Sequence, residues 1–364
     1  MKIGILTHYQ VESHGACLQH YALTQYLREL GHDVYTLSYH KNMDFADDNS
    51  RKKFSVSLSS IPFYLKKYLI KNGPWFFYVM AKKHKTLADF NRKNFKLLRY
   101  DAADVDAAVV GSDEVWSLQL GPNIMMYGHG VDSKKMIAYA PSFGQTDIDT
   151  IKKRHCLSLI SSGLQSFDSL SARDIQSRRI AEELSKQDVE LVCDPTLLYG
   201  FKKELSQYKP MAGKKYVVVY GYNSNMNEPE RIKAIREYAK KISAKVYSVG
   251  AFHKWCDKQI NCDPIELIYW CKGAEAVFTD TFHGTISALL GNTPMAVYVR
   301  TSNNVKLDHL LDVVGLQSRK VHENDSLCEV ISQPVDFEKV FLNMKPFIEK
   351  SKLFLKTALE DKNA

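Results

Sequence analysis

The sequence opens on an apolar run of strand length, residues 2–9. Leu18, Tyr21, Ala22, Leu27 and Leu30 then recur near helical spacing until Gly31 stops the pattern. HDVYTLSY reads as a second strand, which completes a strand-helix-strand unit of the kind that builds parallel sheets. Further strands are predicted at 105–110 and 136–140, and LQSFDSLSARD leads into a helix before the strand VELVCD. After a polar stretch around 202–214 a second series begins. Residues 216–220 are rich in β-formers, 229–243 form an amphipathic helix, and AKVYSVG, IELIYWC, EAVFTD, the helix after it and PMAVYV continue the alternation. The pattern predicts an α/β fold of two doubly wound domains, 1–200 and 212–334. A tail, 335–364, has a helical pattern interrupted at Pro346 and is expected to pack back across the first domain.

Charge changes this picture in one place. The net charge is +8, but residues 51–99 carry thirteen Lys or Arg against a single acid, Asp89, so the excess is local. Trp, Tyr and Phe are interleaved with these cations, and the segment reads as a helical insertion in the first domain. Such a surface suits peripheral contact with anionic lipid, where rings sit at headgroup level. Burial of the aromatics against the domain is the equal alternative, and nucleic acid is the lesser one.

Seven scattered cysteines, without a CxxC pair or a Cys/His cluster, predict reduced thiols and no metal centre. No apolar run approaches the roughly 18 residues of a membrane span, and MKIGILTHYQ reads as a strand rather than a cleavable signal. The expected location is cytoplasmic, with the inner face of the cell membrane as a peripheral station. There is no GxGxxG after the first strand, no Walker loop, no HExxH and no GxSxG.

The candidate chemistry lies where strands end. In parallel sheets ligands sit at the carboxyl ends of strands, against helix N-termini. TDTFHGTISALLG has that layout: Thr281 can cap or contact an anion, Gly284 permits close approach, and His283 can move a proton or bind phosphate. Helix capping is the plain alternative. ESHGACLQ offers His14, Gly15 and Gln19 at the equivalent place in the first domain. VVGSDEVWS offers Ser112, Asp113 and Trp116, with Asp113 placed to orient or deprotonate a hydroxyl or simply to cap a helix. Arg173 in SLSARDIQS and Lys306 in KLDHLLDVVG are cations suited to phosphate or carboxylate, or to ordinary surface pairing.

Taken in order, GILTHYQVESHGACLQHYALTQYLRELGHDV, VDAAVVGSDEVWS, KMIAYAPSFG, SARDIQS, VCDPTLLY and AVFTDTFHGTISALLGNTP resemble the polysaccharide pyruvyl transferase family. The resemblance implies two Rossmann-like domains in a GT-B-like arrangement with the active site in the cleft between them. It implies transfer of the enolpyruvyl group of phosphoenolpyruvate, a co-substrate rather than a cofactor, onto two hydroxyls of a sugar in surface, capsular or exopolysaccharide biosynthesis. The sugar is often attached to a lipid carrier such as undecaprenyl diphosphate. By carry-over, Arg173, His283 and Lys306, with Thr281 and Gly284, bind the donor and His283 is the leading acid/base group. Asp113 is then a second catalytic candidate, and His14, Gly15, Gln19, Ser112 and Trp116 are the acceptor side. Some relatives carry an arginine two positions before the histidine, where this chain has Thr281. A GT-B glycosyltransferase using a nucleotide sugar, with Asp308 or Glu323 on the ribose, is the alternative; a non-catalytic partner in glycan assembly is a third class.

Overall fold

The computed structural model describes residues 1–40, 61–120, 122–210, 213–300, 304–322 and 325–360. Two all-parallel sheets organise it. The first holds β1 (Lys2–Leu6), β2 (Asp33–Ser38), β3 (Leu97–Arg99), β4 (Ala107–Val110), β5 (Met136–Ala138), β6 (Ser169–Ala172) and β7 (Val189–Leu191), in the order β3-β2-β1-β4-β5-β6-β7. The second holds β8 (Tyr216–Tyr220), β9 (Lys245–Val249), β10 (Lys258–Ile260), β11 (Val277–Thr279) and β12 (Met295–Val297), in the order β10-β9-β8-β11-β12. The chain is therefore α/β, with two Rossmann-like sheets. Central strands such as AAVV of β4 and YVVVY of β8 are buried throughout, as parallel strands covered on both faces must be.

Each sheet reverses its strand order beside its first strand, between β1 and β4 and between β8 and β11. That reversal leaves a crevice outside the strand ends. The two crevices open onto one cleft. Beneath it an apolar cluster runs unbroken from Ile3 and Val109 of the first sheet to Val218 and Ile286 on the second side. The helix His14–Glu29, capped by the Ser13 hydroxyl on Ala16 N, packs against both Pro264–Lys272 and Phe282–Gly291.

The helix Phe337–Leu359 does pack on the first sheet's domain: Ser351 Oγ accepts from Cys193 N at 2.8 Å, and Phe354 lies against Tyr139. The expected break at Pro346 does not occur, and the helix runs through it.

The basic segment is more divided than its composition suggests. Residues 51–60 lie outside the described residues. The helix Ile61–Asn94 bends at Gly73, before Pro74, and its second half packs one face on the rest of the chain. Leu87 and Phe90 bury against Phe95 and Cys17, Phe76 meets Phe252 edge-on, and Thr86 Oγ1 accepts from Asn261 Nδ2 at 2.7 Å. Its last residues are not insertion at all but β3, an edge strand paired to β2. Among the described side chains of the segment, Trp75 and Tyr78, stacked at 5.0 Å and each 57% exposed, keep the aspect of an interfacial surface. Among the described residues no helix is long and apolar enough to cross a membrane, and no group of three or more His, Cys, Asp or Glu is arranged to hold a metal ion.

Candidate active site

The cleft encloses about 420 Å³ and is lined from both sides by residues that follow strands: His8 after β1, Asp113 and Glu114 after β4, Arg173 after β6, Tyr222 after β8, Thr281 and His283 after β11, and Arg300 after β12. Lys306 reaches it from the helix Asn304–Val314. Met80 and Lys83 reach it from the long helix of the basic segment.

Asp194 lies behind this wall, fully buried, at the end of β7. Its Oδ1 accepts from Thr196 N at 3.0 Å and from Thr196 Oγ1 at 2.6 Å, the ordinary work of a helix cap. Its Oδ2 does something else. Arg173 Nη1 donates to it at 3.2 Å, Ser112 Oγ at 3.4 Å, and His283 Nε2 stands 3.6 Å away. The last is an ion-pair contact, too long for a hydrogen bond. Burial alone pushes the Asp194 carboxyl up, but His283, Arg173 and the Thr196 hydroxyl together outweigh it and hold the group well below the usual carboxylate range.

Arg173 is held from two sides, since Nη2 also meets Asp113 Oδ1 at 3.4 Å and the guanidinium lies over the Phe282 ring at 5.2 Å. Its Nε is buried and has no partner. Burial lowers its proton affinity, yet Asp113 and Asp194 more than reverse this, so it is a permanent cation. Asp113 is correspondingly depressed: burial would raise it, and Arg173, His8, His283 and Lys306 override that. His283 occupies the first turn of Phe282–Gly291, whose cap is Thr281, with Oγ1 accepting from Gly284 N at 3.0 Å. Its ring sits against Gly15: a Cβ on Gly15 would fall 2.3 Å from His283 Nδ1.

Two further ion pairs rim the cleft. Lys306 Nζ meets Glu114 Oε1 at 2.5 Å, which joins the two sheets' domains, and Arg300 Nε meets Asp280 Oδ2 at 2.8 Å.

Of the residues singled out in the sequence, Arg173, Asp113, Thr281, His283, Lys306 and Gly15 converge on the cleft. Four expected on the acceptor side do not. His14 is buried and donates Nε2–H to Cys262 O at 2.9 Å, tying the two halves together. Gln19 is buried, donating to Thr7 Oγ1 and accepting from Ser112 N, so it braces the strand ends. Ser112 points inward to Ala140 O, and Trp116 is a core side chain whose Nε1 donates to Met126 O. In each case the polar atom finds a protein partner, as a buried group must. Gly284 permits a close approach of its helix to Thr279, whose Oγ1 would lie 2.1 Å from an added Cβ, rather than an approach of ligand. The alternative ribose acid Asp308 is spent on Lys320 at 2.8 Å, and Glu323 lies outside the described residues.

The sequence reading missed Asp194, Glu114, Lys83 and the Asp280–Arg300 pair. The phrase VCDPT carried the Asp194 signal: an acid directly after an apolar strand, before a proline.

The model of the polysaccharide pyruvyl transferase family matches residues 14–302. No curated protein matches the sequence. Similar solved structures include the S. aureus MnaA–UDP co-structure, at 10% identity over 99% of this chain and 91% of that one with a TM-score of 0.48. A putative UDP-N-acetylglucosamine 2-epimerase from Listeria monocytogenes has 10% identity over 98% and 90%, with a TM-score of 0.47. The spinosyn forosaminyltransferase SpnP has 11% over 99% and 100%, with a TM-score of 0.47.

Proposed function

The chain belongs to the polysaccharide pyruvyl transferase family, and on that premise we propose that it draws the pyruvyl group from phosphoenolpyruvate and places it as a cyclic ketal on a sugar of a surface-polysaccharide precursor. The acceptor sugar is lipid-linked or nucleotide-linked. The donor is an enol ester carrying a phosphate and a carboxylate, so it needs fixed cations and a mobile proton.

One observation carries the reading: Arg173 and His283, from opposite sides of the cleft, meet on the same buried carboxylate oxygen of Asp194. A permanent cation and a proton-transfer group are thereby held side by side. In the proposed reaction His283 delivers a proton to the methylene carbon, and a sugar hydroxyl attacks the cationic carbon that results. A second hydroxyl then displaces the phosphate, so one hydroxyl proton replaces the one spent on carbon and the other leaves with phosphate. Asp194 balances the imidazolium whenever His283 carries the proton. Asp113, ionised beside Arg173, is the candidate to take the hydroxyl proton.

The test is acceptor-dependent release of inorganic phosphate from phosphoenolpyruvate, followed by phosphorus NMR with the wild type and His283→Ala. Release by the wild type and none by the variant is expected. Turnover of a nucleotide sugar instead would replace the donor.

A further inference from the structure

The cations of the cleft are not equally available to a ligand. Arg173 is matched by Asp113 and Asp194, Lys306 by Glu114, and Arg300 by Asp280. Lys83 is the exception: among the described residues no carboxylate stands within ion-pair distance of it, although it lines the same cleft. Its immediate neighbours on the helix, Lys82, His84 and Lys85, are exposed to solvent, whereas Lys83 is half-buried. The backbone that carries it is fixed on both sides by Met80, whose sulfur accepts from Asn223 Nδ2, and by Thr86, bonded to Asn261.

A cation withdrawn from water without a counter-charge is unfavourable unless something anionic comes to it. Burial pulls the Lys83 ammonium below its ordinary range, only partly offset by more distant Cys262, Glu12 and Cys17. The cleft wall shared with Lys83 is the opening turn of His14–Glu29. There Ser13 takes up the Ala16 N–H through its hydroxyl and the Cys17 N–H through its carbonyl, and Gly15 and Ala16 line the cavity beside the His283 ring. A positive helix end and an uncompensated ammonium on one wall favour the same ligand.

We propose that Lys83, together with the Gly15 turn, is a phosphate subsite of the cleft, so that the basic segment supplies a substrate-binding residue rather than only a surface. The inference rests on reading the cleft as the reaction centre. The phosphate is that of the donor or one carried by the acceptor, since the chemistry is shared.

The experiment measures binding of inorganic phosphate by calorimetry to the wild type, Lys83→Gln, Lys83→Arg and the neighbouring control Lys82→Gln. A charge-assisted contact of this kind predicts a dissociation constant raised roughly tenfold or more in Lys83→Gln, with Lys83→Arg and Lys82→Gln near wild type. Equal binding by Lys83→Gln, or no phosphate binding by the wild type, overturns the subsite. Lys83→Arg guards against a variant that merely misfolds. Steady-state kinetics then separate the sources: a higher KM for phosphoenolpyruvate assigns the donor phosphate, and a higher KM only for a phosphate-bearing acceptor assigns the other. If phosphate binding depends on Lys83 but phosphoenolpyruvate is neither bound nor turned over, the donor reading fails and the subsite stands.

Discussion

His283 Nε2 lies 3.6 Å from Asp194 Oδ2, and the two residues come from different sheets. The contact therefore exists only when the two halves are together. It gives Asp194 two separable duties, since Oδ1 caps the helix Pro195–Tyr199 while Oδ2 faces His283 and Arg173. Asp194→Asn keeps a capping oxygen and loses the charge. We expect it to remain folded and to lose roughly 10²-fold or more in kcat, the scale of an acid/base contribution. Both variants strip a partner from buried Arg173, but Asp194→Ala loses the cap as well, so its melting temperature should fall further, by the equivalent of about 3 kcal/mol from the wild type. Wild-type turnover in Asp194→Asn would remove the carboxylate from the chemistry.

Gly15 offers a second handle, because its backbone dihedral is ordinary and alanine favours helices. The three atoms nearest to an added methyl in Gly15→Ala all belong to His283: Nδ1 at 2.3 Å, Cγ at 2.6 Å and Cβ at 2.9 Å. The variant should melt lower than the wild type, because the start of the helix Phe282–Gly291 must shift to admit the methyl, and should turn over far more slowly, because the imidazole moves away from Asp194. A crystal structure with His283 unmoved, or unchanged kcat, would count against this placement of the ring.

Both sheets were legible in the sequence because their strands are covered on two faces and so appear as unbroken apolar runs, as in β4, β8 and β11. β3 was not, since three half-exposed residues at a sheet edge leave no such run. Arg173 and His283 were legible because polar residues directly after buried strands must lie at the sheet's carboxyl end. Asp194 has the same position, but its cap role accounts for it fully until the fold brings His283 opposite. His14 and Trp116 misled for the converse reason: their loops lie at the sheet ends, and only the packing of the domains decides that their polar atoms turn inward.

Trp75 and Tyr78 are what the basic segment leaves exposed in aromatic form among its described side chains. If that helix also meets anionic lipid, Trp75→Ser with Tyr78→Ser should lower sedimentation with phosphatidylglycerol vesicles and spare turnover on a soluble acceptor. Equal sedimentation would leave the segment with its role inside the cleft alone.

Acid should destabilise the fold, and the seam between the domains contributes to that loss. His14 sits at that seam, neutral, with Nε2–H on Cys262 O, and its proton affinity is pushed down to about 3, by burial first and by Lys83 second, against the opposing Cys262 bond. The unfolded chain protonates this histidine near pH 6.5 and the folded one does not. Between those values the unfolded state binds the extra proton, so the contribution is intact above pH 6.5 and is lost as pH falls towards 3. Each such group costs about 1.4 kcal/mol per pH unit within the window. His20, also pushed to about 3, and His253, pushed to about 4, add to the slope within their own domains. His14→Gln keeps a donor for Cys262 O but cannot titrate. Its melting temperature should therefore fall less than the wild type's between pH 7.5 and pH 5, with the remaining slope owed to His20, His253 and the other histidines that burial lowers, His32 and His309. Identical pH dependence in the two proteins would mean that His14 is solvated, and that the seam opens to water without unfolding.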